Sequence, residues 1–246
     1  MTCSTAQNHI SAISAKLDRY WHLSTDNFFS LFLDDLLTCF GVNGGKHARP
    51  LEPSEREQLF ELGQMYARAV IDCPYEDLLG QIYMDLAGRG HKKALGQFFT
   101  PNSVCRIMAE MSNYDMIHGD AFADLDVIRV AEPTCGSGAM VLGMLHCIKE
   151  KNPALLEKLD FTLIDIDRTC IRMAAIQILT NLLIHGDLLA GLRVYRGNAL
   201  GSSSELEWFI GFQNYQDESV TEKVAPVPDR FVTLEKNLDM FFELAS

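Results

Sequence analysis

Between residues 127 and 200 short β-rich runs alternate with helical patterns, and that order leaves few folds open. Residues 127–131, 161–166 and 192–195 read as strands. The first two are followed by helical spacing: Met140, Val141, Met144, Leu145 and Ile148 share one face after the first, and Ile171, Ala175, Ile178 and Leu182 share one after the second. Alternation of this kind implies parallel strands joined by crossover helices, an open α/β sheet whose ligands sit at the carboxyl ends of the strands.

The first ~90 residues are instead helical in pattern. Phe28, Phe29, Leu31, Phe32, Leu33, Leu36, Leu37 and Phe40 recur at helical spacing, with Asp26 as a cap, and a Gly-rich break at residues 41–50 comes next. A capping box at Ser54-Glu55-Arg56-Glu57 opens a second helix through Leu59, Leu62, Tyr66 and Val70, and a third runs from about Glu76 to Leu86. The expected division is a helical region over residues 1–94 and an α/β domain over 95–246. The tail from residue 201 is expected to hold a short strand at 208–212 and a final helix at 233–244.

Composition narrows function. A net charge of −12 argues against a surface that grips nucleic acid by charge alone, since phosphate binding needs basic side chains. The seven cysteines form no C-x-x-C pair, so neither a disulfide framework nor a metal site is expected. No run reaches the length of a membrane span and residues 1–20 lack a signal-peptide core, so the chain is expected in the cytoplasm.

The chemistry concentrates at Glu132-Pro133-Thr134-Cys135-Gly136-Ser137-Gly138, directly after the first strand and before a helix. Glycines in such a turn let backbone approach a ligand, and the helix N-terminus favours an anionic group. A dinucleotide fingerprint would carry Gly or Ala where Val141 stands, and its acid would come sooner than Asp165.

The turn resembles the Asp/Glu-Pro-x-Cys-Gly-Ser-Gly cofactor motif of adenine-N6 DNA methyltransferases. The segments Leu79-Gly80-Gln81-Ile82-Tyr83, Gly96-Gln97-Phe98-Phe99-Thr100-Pro101, Ile164-Asp165-Ile166-Asp167 and Gly197-Asn198-Ala199-Leu200 extend the likeness in order, with Asn181 and His185-Gly186 between the last two. Together they resemble the modification subunits of type I restriction systems. The resemblance implies a Rossmann-like class I methyltransferase fold and a site for S-adenosylmethionine. The Cys135, Gly136, Ser137 and Gly138 turn would let the methionine part lie close to backbone, Glu132 would face its cationic end, Asp165 the ribose and Asn198 the adenine, with Pro101, Pro133, Ile166 and Ala199 as further cofactor-binding residues. Phe98, Phe99 and Thr100 would form a flap, with Thr100 capping a helix that starts at Pro101.

The family's Asn/Asp-Pro-Pro-Tyr/Phe loop, which holds the adenine amino group, is missing from the sequence. Two fragments come nearest. Gln213-Asn214-Tyr215-Gln216 offers an amide and an aromatic, making Asn214 and Tyr215 the candidate catalytic residues, with an ordinary loop as the competing reading. Asp72-Cys73-Pro74-Tyr75 departs from the motif by one residue, but Pro74 there is expected to open a helix. Cys135 reads as a buried filler, Asp167 as a helix cap and His185 as the close of the same helix. The expected activity is methylation of adenine N6 in DNA, with DNA recognition through a partner specificity subunit or a dimer. The basic cluster Arg89-Gly90-His91-Lys92-Lys93 is the local candidate for phosphate contact. The rival expectation is a cofactor-binding subunit that acts through a partner methyltransferase or specificity subunit. Methylation of RNA or of a protein glutamine is the third.

Overall fold

The computed structural model describes residues 4–20, 28–42, 51–88, 99–119 and 122–215. Asp26, most of the Gly-rich break, the Arg89–Lys93 cluster, Phe98 and the expected helix at 233–244 lie outside the described residues. Eight α-helices and four strands are described: α1 (Ser4–Tyr20), α2 (Phe28–Cys39), α3 (Pro53–Asp72), α4 (Leu78–Leu86), α5 (Asn102–Ser112), α6 (Tyr114–His118), β1 (Ile128–Glu132), α7 (Ala139–Lys151), β2 (Leu159–Asp165), α8 (Arg168–His185), β3 (Gly191–Arg196) and β4 (Glu207–Gln213).

The strands form one sheet in the order β1-β2-β3-β4. The first three are parallel, as the alternation with helices requires, and β4 returns antiparallel to β3. This is the Rossmann-like α/β architecture expected from the sequence. The carboxyl ends of β1, β2 and β3 therefore emerge side by side.

One face of the sheet buries Ile128, Phe161, Leu163, Leu192, Val194 and Phe212 against α7 and α8. The other face is polar at its centre: Asp160, 0% exposed, pairs with Arg193 at 2.5 Å, and Arg193 also donates to Gln213. Toward the opposite, carboxyl end of β3 Tyr195 and Trp208 meet edge to face at 5.3 Å.

A second core is built by α1 to α4. Ala6, Ile10, Ile13 and Leu17 of α1 pack with the Phe28 to Leu37 stripe of α2 and with Leu59, Leu62, Tyr66 and Val70 of α3. This layer closes on the far side of α8, through Cys170, Met173 and Ile176, while Ile171, Ala174, Ala175 and Ile178 of the same helix face the sheet. Helix α8 is thus buried nearly all round, which explains why its apolar pattern is broader than a single stripe.

Several local expectations need correcting. Helix α3 begins one residue before Ser54: Pro53 takes the first helical position, where its missing N–H costs nothing, and Glu55 accepts from the Glu52 amide at 2.9 Å. Pro74 opens no helix. It lies in a turn that puts Tyr75 at φ 56°, and α4 starts only at Leu78, capped by Asp77, whose side chain accepts from Gly80 N. Thr100 does not cap α5 either. Pro101 is the cap residue with ψ 140°, and the helix begins at Asn102, whose side chain turns inward to Glu76 and to the Asp77 amide.

Helices α5 and α7 cross closely. A Cβ on Gly143 would lie 3.0 Å from both the carbonyl carbon and the Cβ of Cys105. Gly143→Val is expected to destabilise the fold by roughly 1–3 kcal/mol through overpacking, read as a lower denaturant midpoint with an unchanged slope.

Candidate functional site

The turn after β1 is fixed by its neighbours. Cys135 N donates to Ile164 O at 2.9 Å, which ties the turn to the end of β2, and Gly138 N closes on Cys135 O at 2.8 Å. Gly136 (φ 54°) and Gly138 (φ 90°) occupy left-handed conformations that side chains resist. Each also needs the missing Cβ: one on Gly138 would sit 3.2 Å from Ala174 of α8, and one on Gly136 would sit 3.3 Å from the Phe99 ring. Phe99 thus lies against the turn, backed by Tyr83 at 6.0 Å between ring centroids.

Gly138 is the cap residue of α7 and offers no side chain to it. The first-turn amides of α7 therefore face the strand ends without an intrinsic acceptor, a partial positive charge at the carboxyl edge of the sheet. Two carboxylates share that edge. Glu132 ends β1 and accepts from Thr134 N at 3.4 Å. Asp165 ends β2 and accepts from Gly136 N through Oδ2 and from Asp167 N through Oδ1, both at 2.9 Å. One carboxylate therefore spans two strand-end loops. Its main-chain oxygen extends the link to β3, accepting from Gly197 N at 2.9 Å.

At the end of β3, Asn198 is exposed and closes its own loop, its Oδ1 accepting from Leu200 N at 3.0 Å, with Ala199 half-buried between them. Two apolar side chains stand uncovered on the same rim: Ile166 is 68% exposed and Leu200 97%. Glu132, Pro133, Cys135 to Gly138, Asp165, Ile166, Asn198 and Ala199 are accordingly brought to one edge. Phe99 joins them through Gly136. Thr100 is exposed and Pro101 sits at the start of α5.

Ser137 departs from the simple picture of a turn open to a ligand. Its side chain is fully buried and donates to Asp77 at 2.8 Å. Its carbonyl oxygen is also held from the buried side, accepting from Gln177 Nε2 at 2.8 Å. Asp77 was not readable as part of the site, because its partner lies sixty residues away; the nearest sequence sign is Gly80, where a Cβ would come within 2.6 Å of Ser137 Oγ.

Cys135 is buried beside Asp165 and Glu132. Burial, then those two carboxylates, push its thiol far above the ordinary range, and burial lifts Cys105 to about 11. The thiolate is the reactive form, so Cys135 should stay unmodified when the native protein is treated with iodoacetamide at about pH 8 and be labelled only after unfolding. Peptide mass spectrometry reads this directly.

The candidate catalytic residues do not reach this edge. The Asn214 side chain donates to Leu189 O and its amide N to Ala190 O, both at 2.8 Å, and the Tyr215 hydroxyl meets Asp160 near the start of β2. Both stand at the amino ends of the parallel strands, about 20 Å from Asp165 by strand rise. The reason is topological: β4 runs antiparallel, so the chain leaving it arrives at the opposite end. Asp72 pairs with His9 and Arg68, while the Tyr75 amide donates to Asn181 Oδ1 at 2.7 Å and its hydroxyl donates to Asp187. That fragment is structural. Asp167 caps α8 as expected, accepting from Thr169 N at 2.6 Å, and His185 ends it before Gly186 at φ 64°.

A family model described as N-6 DNA Methylase matches residues 75–220. The chain belongs to the N-6 DNA methylase family. The match takes in α4, the glycine turn and the four described strands. Among curated proteins, the Type II methyltransferase M.MamI of Microbacterium ammoniaphilum is 35% identical to this family member over 104 residues, 41% of this chain and 28% of that protein. The aligned stretch thus spans little more than a quarter of that relative. Among solved structures, a putative class I S-adenosylmethionine-dependent methyltransferase from Listeria monocytogenes superposes with a TM-score of 0.47 at 13% identity, covering 81% of this chain and 55% of the other. A type I restriction-modification system methyltransferase subunit from Streptococcus thermophilus gives 0.39 at 14% identity, over 79% and 40%. Among the described residues no helix is long and apolar enough to cross a membrane.

Proposed function

We propose that this member of the N-6 DNA methylase family binds S-adenosylmethionine at the carboxyl edge of β1, β2 and β3 and serves adenine-N6 methylation of DNA. The observation that carries the reading is the Asp165 carboxylate, which joins the glycine turn to the second strand end, with the Asp165 main chain reaching the third. The donor set fits the cofactor's chemistry. Glu132 supplies a carboxylate for a cationic end, and the first turn of α7 supplies amides for an anionic one. Asp165 is acceptor-only and has lone pairs beyond those taken by the two amides, as a pair of ribose hydroxyls needs. Ile166 and Leu200 give a flat ring apolar cover, and Asn198 keeps its amide donor for an edge nitrogen. Bound there, the cofactor supplies a methyl group on a sulfonium. The residues of this chain orient it and, through Phe99, keep water from one side of the turn.

The groups that would hold the target adenine are a separate matter. The sequence has no Asn/Asp-Pro-Pro-Tyr/Phe loop, and Asn214 and Tyr215 lie at the other end of the sheet. That observation favours a second reading, a cofactor-binding subunit that works through a partner methyltransferase or specificity subunit. Transfer of labelled methyl from S-adenosylmethionine to unmethylated DNA separates the two, with RNA and bulk protein as parallel acceptors and cofactor binding followed by calorimetry. N6-methyladenine made by the purified chain establishes the enzyme. Cofactor binding without transfer to any acceptor favours the subunit and directs the search to a missing partner, and absence of cofactor binding removes both.

A further inference from the structure

A second carboxylate supports the glycine turn from beneath. Asp77 is 1% exposed, and each of its oxygens is occupied: Oδ2 accepts from Ser137 Oγ at 2.8 Å, and Oδ1 accepts from Gly80 N at 2.9 Å and from Gln177 Nε2 at 2.8 Å. Gln177, on α8, also donates to Ser137 O at 2.8 Å and accepts from Leu79 N at 2.9 Å. The Asp77 amide donates to Asn102 Oδ1 at the start of α5. Four segments therefore meet at one buried residue: the start of α4, the turn, α8 and the start of α5.

Burying a carboxylate costs free energy that an apolar side chain of similar size would avoid. Burial accordingly raises the Asp77 pKa, while the bonds from Gln177, Ser137 and Gly80 pull it back. What the carboxylate adds over an apolar filler is direction. It fixes the Ser137 hydroxyl, and Gln177 fixes the Ser137 carbonyl, while Asp165 holds Gly136 N from the other side. The peptide units of residues 136–138 are thereby clamped between two acids, one on the rim and one below.

We propose that Asp77 is a positioning residue for the cofactor turn, acting through the Ser137 hydroxyl and with Gln177 to hold the Cys135–Gly138 backbone in its ligand-accepting shape. This rests on the reading of the turn as an S-adenosylmethionine site. It also gives α4 a role beyond packing: its N-terminal cap and the support of the cofactor turn are the same side chain.

The test uses the full chain with Asp77→Asn, Ser137→Ala and the double variant. Asn keeps the size of the side chain and the Oδ1 acceptor but presents an amide group to Ser137. Affinity for S-adenosylmethionine is measured by calorimetry at a temperature where circular dichroism shows each variant folded. Backbone hydrogen exchange at residues 136–139 is followed without cofactor. Each single variant should weaken binding roughly tenfold and speed exchange at the turn, and the double variant should bind no more weakly than the weaker single, because both remove one interaction. A purely structural role would lower the denaturation midpoint and leave the affinity of the folded protein unchanged. Wild-type affinity in the variants, or losses that add in the double, would overturn the proposal. Should Asp77→Asn fail to fold, Ser137→Ala alone decides it by the same two readouts. Absence of binding by the wild type removes the functional reading and the cofactor role of Asp77 with it, whereas wild-type binding with unaffected variants removes only the latter.

Discussion

Asp165→Ala is expected to abolish measurable S-adenosylmethionine binding. Two losses combine. The first is the proposed pair of charge-assisted bonds to ribose hydroxyls, each worth roughly 1.5–3 kcal/mol, which together amount to about a hundredfold to ten-thousandfold in affinity. The second is the acceptor for Gly136 N and Asp167 N, whose loss leaves the turn tied to the end of β2 through the Cys135 N to Ile164 O bond without the carboxylate link. Asp165→Asn should fall between, since it keeps one carbonyl acceptor. Calorimetry on protein shown to be folded reads both. Equal affinity in wild type and Asp165→Ala would remove Asp165 from the site and leave its role as a loop link only.

Arg172→Met should produce the largest loss of stability. Its guanidinium is nearly buried, with 6% side-chain exposure, and donates to Asp34 at 2.6 Å, to Ser30 Oγ at 2.9 Å and to Ser30 O. Burial pulls its pKa down and Asp34 pushes it back up. Met fills most of the volume but leaves the Asp34 carboxylate, 15% exposed, without the guanidinium. Truncating one side of a buried pair costs about 3–5 kcal/mol, a large part of the roughly 5–15 kcal/mol that typically holds a domain together. The double variant Arg172→Met with Asp34→Leu should recover much of that loss, because replacing both members of such a pair by apolar groups is often close to neutral. Chemical denaturation of the three variants decides it, and a double variant as weak as the single would show that the bonds to Ser30, not the ion pair, carry the cost.

The rim was legible because strand-end position can be read from local pattern. Three β-rich runs each fixed where a strand stops, and Glu132, Asp165 and Asn198 are located by those ends without knowledge of how the strands pair. Asn214 and Tyr215 were misplaced for the complementary reason: their letters suit the chemistry, but letters carry no strand direction, and only the antiparallel return of β4 reveals which end they reach. The spacing of Ala6, Ile10, Ile13 and Leu17 could have announced α1, since it repeats at four, three and four residues. The contact between Asp77 and Ser137 had no comparable sign. It depends on where α4 docks, and docking is decided by the sum of apolar contacts rather than by any one residue.

Helix α8 has no solvent face to spare over most of its length, because both cores claim it. The layer of α1 to α4 and the sheet layer are therefore thermodynamically joined through one shared wall. Cutting the chain between them would strip Cys170, Met173 and Ile176 of their cover on one fragment, and Leu59, Leu62, Tyr66 and their neighbours on the other. A shortened version that keeps the whole sheet and every strand-end residue would still have lost much of the surface against which α8 is held. The glycine turn, which leans on α8 through Gly138 and Ala174, would lose its footing with it.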